Sequence, residues 1–304
     1  MIDARILDSA AQNPQRPIDL KAGRRAFMQT VGLGIAGASL IGAGGIKPAA
    51  AQAAVNDFDI LNFALNLEYL EAEFYLRAAT GQGLSNAEVD GPVGTLGPVA
   101  GGKQVTFATD AIRNYAFEIA AEERSHVNFL RGALGGQRVA RPAIDLNLSF
   151  TIAARAAGLV GPTAFFDAFA DETSFLLASF IFEDVGVSAY LGAAPLISDK
   201  GILLAAGSIL AAEAYHAGTI RTSLYARGLF AQAQAISDAR DSLDGADDDD
   251  QGIGTATTAN TSLTNPANGL TYSRTTQQVL NIVYLNPNGQ PTGFFPNGLN
   301  GKIR

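Results

Sequence analysis

An all-α core is the fold class this sequence predicts: a four-helix bundle with one long crossover, followed by an irregular C-terminal tail. Three observations predict it. Four long segments repeat apolar residues at three- and four-residue steps, the period of a helix with one buried face. A longer, proline-marked connection separates the second segment from the third, whereas a short turn joins the third to the fourth. Each segment also carries a glutamate in the middle of its apolar stripe.

The first helix is predicted over Asn56 to Ala79, with Leu61, Ala64, Leu65, Glu68, Ala72 and Tyr75 on its stripe and Asp57 as a candidate N-cap. Residues 80–104, rich in Gly and Pro, read as a loop. The second helix is expected from Thr106 to Leu134, ending at Gly135-Gly136; Ile112, Ala116, Ile119, Glu123, His126 and Leu130 form its stripe. The crossover carries Pro142 and Pro162 near its ends. A third helix, Thr163 to Leu191, presents Leu176, Phe180, Glu183, Val187 and Tyr190. A fourth, Ile202 to Phe230, presents Ile209, Glu213, His216, Ile220 and Leu224. Beyond Phe230 the helical period fails. Asp238, Asp241, Asp244 and Asp247 to Asp250 read as a solvated acidic linker, since they lack the ordered loop and terminal Glu of a calcium site. Val279 to Leu285 is the one apolar piece of the tail, expected as a strand or a docking segment.

The N-terminus differs in kind. Arg24 and Arg25 precede Ala26-Phe27-Met28, a Gly-rich apolar run from Val31 to Ile46, and Ala51-Gln52-Ala53, a small-residue cleavage pattern. This is similar to a twin-arginine export signal. The run has 16 residues, six of them glycine, short of the roughly 20 needed to span a bilayer. The expected organisation is therefore an export signal over 1–53, a bundle over 54–230 and an acidic, turn-rich tail over 231–304, with a periplasmic or extracellular destination and no stable membrane span after cleavage.

Composition excludes several functions. The chain has no cysteine, which removes disulfides, thiolate metal sites and Cys nucleophiles. Without residues 1–53 it keeps 15 basic and 26 acidic residues, a formal charge of −11. Such a surface repels nucleic acid and anionic lipid. No P-loop or nucleophile elbow occurs, and Gly32-x-Gly34 lies within the export signal.

The chemistry-bearing residues stand in the stripes. A buried carboxylate is costly unless paired, protonated or bound to metal, and here there is one per helix. The only two histidines, His126 and His216, each follow a glutamate by three residues, in Glu123-Arg124-Ser125-His126 and Glu213-Ala214-Tyr215-His216. Positions i and i+3 share a helix face, so each pair can reach one ion. With only ten glutamates in the chain, chance rarely places one at that offset before both histidines. An internal echo accompanies this: Glu68 precedes Tyr75 by seven residues, and Glu183 precedes Tyr190 by seven. The tyrosines Tyr75, Tyr115, Tyr190 and Tyr215 are expected in the core or behind the ligands. Glu71 and Glu122 are expected in solvent or behind the ligands. One Glu from each of two helices and Glu-x-x-His from the other two is the layout of a carboxylate two-metal site.

In this layout, in the segment Leu61 to Tyr75 (LNFALNLEYLEAEFY) and in Phe294-Phe295-Pro296-Asn297-Gly298, the chain resembles the ferritin-like superfamily, in particular its exported desiccation-related type. The resemblance covers roughly residues 55–230 and, on fewer residues, 272–301. It implies a centre of two Fe or Mn ions, with Glu123 and Glu213 bridging, Glu68 and Glu183 terminal, and His126 and His216 on one ion each. It is not specific for a reaction: the expectation is redox chemistry on O2, H2O2 or Fe(II), with a non-catalytic role in stress or desiccation protection or metal sequestration as the alternative. A mineral-storing cage fits less well, because the tail would crowd a shell. The partners expected are small oxidants or metal ions, and a homo-oligomer is left open.

Overall fold

The computed structural model describes residues 55–304; the expected export signal lies outside the described residues. Eight helices dominate: α1 Asp57–Thr80, α2 Asn86–Val89, α3 Asp110–Leu134, α4 Leu148–Ala156, α5 Glu172–Ala193, α6 Lys200–Ala226, α7 Phe230–Asp244 and α8 Thr276–Val283. The bundle consists of α1, α3, α5 and α6, with α1 packed mainly on α3 and α5 mainly on α6. Strand pairing among the described residues is slight. β1 (Val99–Ala100) runs parallel to β2 (Ile144–Asp145), pairing the α1–α3 loop with the crossover, and β3 (Gly254–Thr255) pairs antiparallel with β4 (Thr258–Ala259).

Local chemistry sets the helix ends. Asn56, not Asp57, caps α1: its side chain accepts from the Asp59 N–H, and Asp59 accepts from the Asn56 N–H. Asp57 instead accepts from the N–H groups of Ser198 and Asp199, tying α1 to the turn before α6. Asp171 and Asp199 cap α5 and α6. The expected third helix starts nine residues late, at Glu172, because Phe165 to Ala170 turn irregularly before the Asp171 cap. The crossover holds a helix of its own, α4.

The largest corrections lie beyond the bundle. The helical period does not fail at Phe230. Helix α6 ends at Ala226, the chain turns at Gly228, and α7 begins at Phe230. The acidic stretch is not a solvated linker throughout. Asp244 and Asp250 are buried, as is Asp184 on α5, and they meet three buried arginines, Arg221, Arg240 and Arg274. Arg221 and Arg240 share Asp184 at 2.7 and 2.9 Å, Arg240 and Arg274 share Asp250 at 2.7 and 2.9 Å, and Arg274 reaches Asp244 at 2.6 Å. Helical spacing could not reveal these pairs, because the partners lie on different elements. Val279 to Leu285 is mostly helix, α8, and it does dock. Asn281 on α8 donates to Leu243 O.

The tail also enters the aromatic core. Phe294 lies 5.0 Å from Phe150 and 4.9 Å from Phe182, ring centroid to ring centroid, and Phe74 lies 5.4 to 5.6 Å from Phe150, Phe175 and Phe182. Helix α5 is long and apolar enough to cross a membrane, but its most apolar window is 89% buried inside the protein. It is the central helix of the core.

Candidate metal centre

The four bundle helices bring all six expected ligands to one place: Glu68 from α1, Glu123 and His126 from α3, Glu183 from α5, Glu213 and His216 from α6. They form two groups with a common member. Glu68, Glu123, His126 and Glu213 offer ligand atoms within 4.8 Å of one another, as do Glu123, Glu183 and His216. The two oxygens of Glu123 divide between them. Oε2 lies 3.5 Å from His126 Nδ1 and Oε1 lies 3.0 Å from His216 Nδ1. His126 Nδ1 also lies 3.2 Å from Glu68 Oε2 and 3.5 Å from Glu213 Oε1, while His216 Nδ1 lies 3.5 Å from Glu183 Oε2. The imidazole rings are 6.1 Å apart. Glu123 thus spans the two groups, as a bridging ligand must. Glu213 joins only the His126 group, across from its own helix neighbour His216.

The electrostatics follow from burial. The four glutamates are almost fully enclosed, and no Arg or Lys among the described residues pairs with them. Burial, then the Glu123 charge, raises Glu68 to about 7. The same two causes hold Glu213 well above the usual carboxylate range. Burial opposes the charge on Glu123 too, but His126 and His216 outweigh it and hold that carboxylate at about 2. Burial likewise opposes charge on His216, yet Glu183 and Glu123 push it up to about 12; His126 is raised as well, by Glu123, Glu213 and Glu68.

Neighbouring side chains orient the cluster. The Tyr190 hydroxyl donates to Glu68 Oε1, and Tyr75 lies beside Glu183, whose charge together with burial keeps the phenol protonated. The sequence echo is therefore exchanged between helices: Tyr190 bonds the α1 glutamate, and Tyr75 lies near the α5 one. Tyr115 and Tyr215, expected in the core or behind the ligands, are on the surface. Glu122 is half exposed and lies 2.6 Å from His216 Nε2, leaving Nδ1 turned to the cluster. Glu71 is not solvated. It is buried, and the charges of Glu213, Glu123, Glu183 and Glu68 add to that burial in raising its pKa. Its place was legible, since it follows Glu68 by three residues on the same face. The matching position after Glu183 is Gly186, where a Cβ would lie 2.3 Å from Glu213 Oε2 and 3.5 Å from Glu71 Oε1. A side chain there would have to displace the Glu213 carboxylate from its place, while Glu71 would be in ordinary contact.

The donor set fits metal. Glu68 Oε2, both oxygens of Glu123, Glu183 and Glu213, and Nδ1 of both histidines are buried without a hydrogen-bond partner. Orphaned polar atoms on this scale are rare in folded proteins, and here they all face one cluster. Hard oxygen donors with two imidazoles suit first-row transition ions.

A ferritin-like domain model matches residues 56–226, the stretch that holds every one of these ligands. The chain belongs to the ferritin-like family. A ferritin-like catalase, Nec2, from Nesocodon mauritianus is 30% identical over 269 residues, covering 81% of this chain and 84% of that relative. A desiccation-related protein, PCC13-62, from Craterostigma plantagineum is 32% identical over 179 residues, covering 57% of this chain and 54% of that relative. No solved structure matches the chain. The match to Nec2 is longer than the bundle, so for this ferritin-like chain the likeness extends beyond the four helices.

Proposed function

We propose that this ferritin-like protein is exported and uses a centre of two iron or manganese ions for redox chemistry on small oxidants, with hydrogen peroxide the favoured substrate. The observation that carries the reading is the cluster of buried, partnerless carboxylate and imidazole atoms on four helices. Glu68, Glu123, His126 and Glu213 would hold one ion, and Glu183 and His216 the other, with Glu123 between them. Four carboxylates balance two divalent charges. When bound, such a pair supplies a two-electron change between the +2 and +3 states, which peroxide disproportionation to water and O2, or Fe(II) oxidation by O2, requires.

The protein's own residues supply position and protons. The Tyr190 O–H fixes Glu68, and Tyr75 stands beside Glu183. Glu122 accepts from His216 Nε2 and meets solvent, a route by which a proton can leave the ring. The name of the catalase relative favours peroxide over Fe(II) as substrate. Export rests on Arg24-Arg25, the weak apolar run and Ala51-Gln52-Ala53. Metal analysis with O2 evolution from H2O2 tests the centre: the expected result is two ions per chain and turnover above that of free ions. Replacing Arg24 and Arg25 by Lys is expected to hold the precursor in the cytoplasm.

A second reading, non-catalytic protection or metal sequestration, is favoured by the name of the desiccation-related relative. It would be preferred if the fully loaded protein neither evolves O2 from H2O2 nor oxidises Fe(II).

A further inference from the structure

We propose that the C-terminal tail builds an apolar conduit for dioxygen between solvent and the metal centre. This rests on the reading of the centre as one that releases or consumes O2.

Two cavities carry it. The outer one, about 80 Å³, lies among α4, α5, α7 and α8. Ile152, Ala156 and Ser242, all exposed, stand at its mouth; Leu177 and Ile236 are buried deeper in its wall. The inner one, about 10 Å³, is enclosed by buried residues of α1, α5 and the tail, including Leu70, Phe182, Val185 and Phe294. Ile181 and Ile282 line both cavities, so the two share a wall. The inner cavity is also lined by Glu71 and Gly186. At Gly186 the missing side chain brings that wall within van der Waals reach of Glu213 Oε2, a candidate ligand. A series of mostly apolar residues thus leads from Ile152 to the cluster, with Ile181 and Ile282 standing between the two cavities.

Polarity selects the passenger. The inner cavity has room for about one water-sized molecule. A metal ion would lose its hydration among these side chains, and hydrogen peroxide would find few hydrogen-bond partners. Dioxygen is small and apolar and loses nothing. Ions and peroxide are left the opposite side, between α3 and α6, where the His126 side chain is 12% exposed and Glu122 is half exposed. The tail's role follows: Ile282, Val283 and Phe294 form one wall of the inner cavity, and the paired Arg274 and Asp250 hold the tail against α5 and α7.

Xenon is the probe, because it occupies small apolar cavities without reacting. Crystals of the full folded protein under xenon are expected to show xenon in the outer cavity, and Ala239→Phe is expected to abolish it. Ala156→Phe, at an exposed position of the mouth, is the second variant should Ala239→Phe fail to fold. Stopped-flow oxidation of the Fe(II)-loaded protein supplies the functional readout. The filled variant is expected to react severalfold more slowly with O2 but equally fast with H2O2, at unchanged metal content. Absence of xenon from the wild type overturns the proposal. So does a filled variant that loses xenon and still reacts with O2 at the wild-type rate. If the loaded wild type reacts with neither oxidant, the redox reading itself fails and takes the conduit with it. If the wild type reacts with both and the variants are indistinguishable from it, the conduit alone fails.

Discussion

Two clusters of buried charge lie on adjacent faces of α5, and they solve the same problem in opposite ways. Glu183 belongs to the first and its neighbour Asp184 to the second. Around Asp184, three arginines meet three aspartates, with Ser237 and Ser188 taking further hydrogen bonds. Around Glu183, four glutamates meet two histidines and no arginine, and most of the facing atoms have no partner. Desolvating charge is costly in both places. Pairing within the chain makes the Asp184 cluster a structural clasp. Carboxylates left without hydrogen-bond partners make the Glu183 cluster a candidate metal site, where bound cations would supply the balancing charge.

Breaking each cluster should therefore have a different consequence. The largest effect is expected for Glu123→Ala, because Glu123 alone belongs to both ligand groups. Metal content should fall below two ions per chain and activity by at least about 100-fold, the upper end of what loss of a mere outer partner costs. Elemental analysis and peroxide turnover check it. Next is the clasp. Asp250→Ala strips a partner from Arg240 and Arg274 and should lower stability by about 3–5 kcal/mol, the cost of an uncompensated buried charge. Denaturant unfolding should give the same loss with and without metal; a metal-dependent loss would mean that the two clusters are not independent.

The third effect is linkage. Metal at 100 times its dissociation constant should stabilise the wild type by about 2.7 kcal/mol, and His126→Ala and His216→Ala should lose most of that gain. Equal melting-temperature losses in metal-free protein would instead make both histidines core residues.

The pH dependence of the metal-free protein is the fourth. Glu68 is raised to about 7, and Glu213 and Glu71 are raised as well. A raised carboxylate binds its proton more tightly when folded, so its contribution is complete below the unfolded pKa and is lost as pH rises through the folded value. His216, raised to about 12, adds a loss of the same sign from neutral pH upward. Glu123, depressed to about 2, opposes this only below its unfolded pKa. Stability, and with it the melting temperature, should thus fall from about pH 4.5 toward alkaline pH. Metal should flatten or reverse the trend, since it binds the deprotonated ligands. The smallest effect is expected for Glu213→Gln in metal-free protein at neutral pH. Burial and the Glu123 charge shift Glu213 toward its protonated form, and Gln is nearly its isostere. The change in melting temperature should be the smallest of the series, while metal binding is impaired.

The bundle was legible because helical period and apolar stripe coincide in α1, α3, α5 and α6. The candidate ligands were legible because a glutamate in such a stripe contradicts it. The reading failed where partners come from separate elements. Asp244 and Asp250 looked like a solvated acidic run, since nothing local announces that Arg240 and Arg274 will meet them. Tyr115 and Tyr215 looked internal because they sit near stripe positions, yet each lies one side of the buried face. Helix α8 was open between strand and docking segment because eight residues are too few to separate the two periods.

The sequence by itself determined that four helices would each bury a carboxylate, and that His126 and His216 would share faces with Glu123 and Glu213. Both follow from i, i+3 and i, i+4 geometry within one helix. Tertiary structure alone decided which ligand serves which group. It placed Glu123 between the two histidines, turned Glu213 toward His126, crossed Tyr190 onto Glu68, and set Gly186 against Glu213 and Glu71. Those relations depend on how the helices are rotated and offset against one another. That is settled by the packing of all of them together, including a tail whose pairing partners lie far away along the chain.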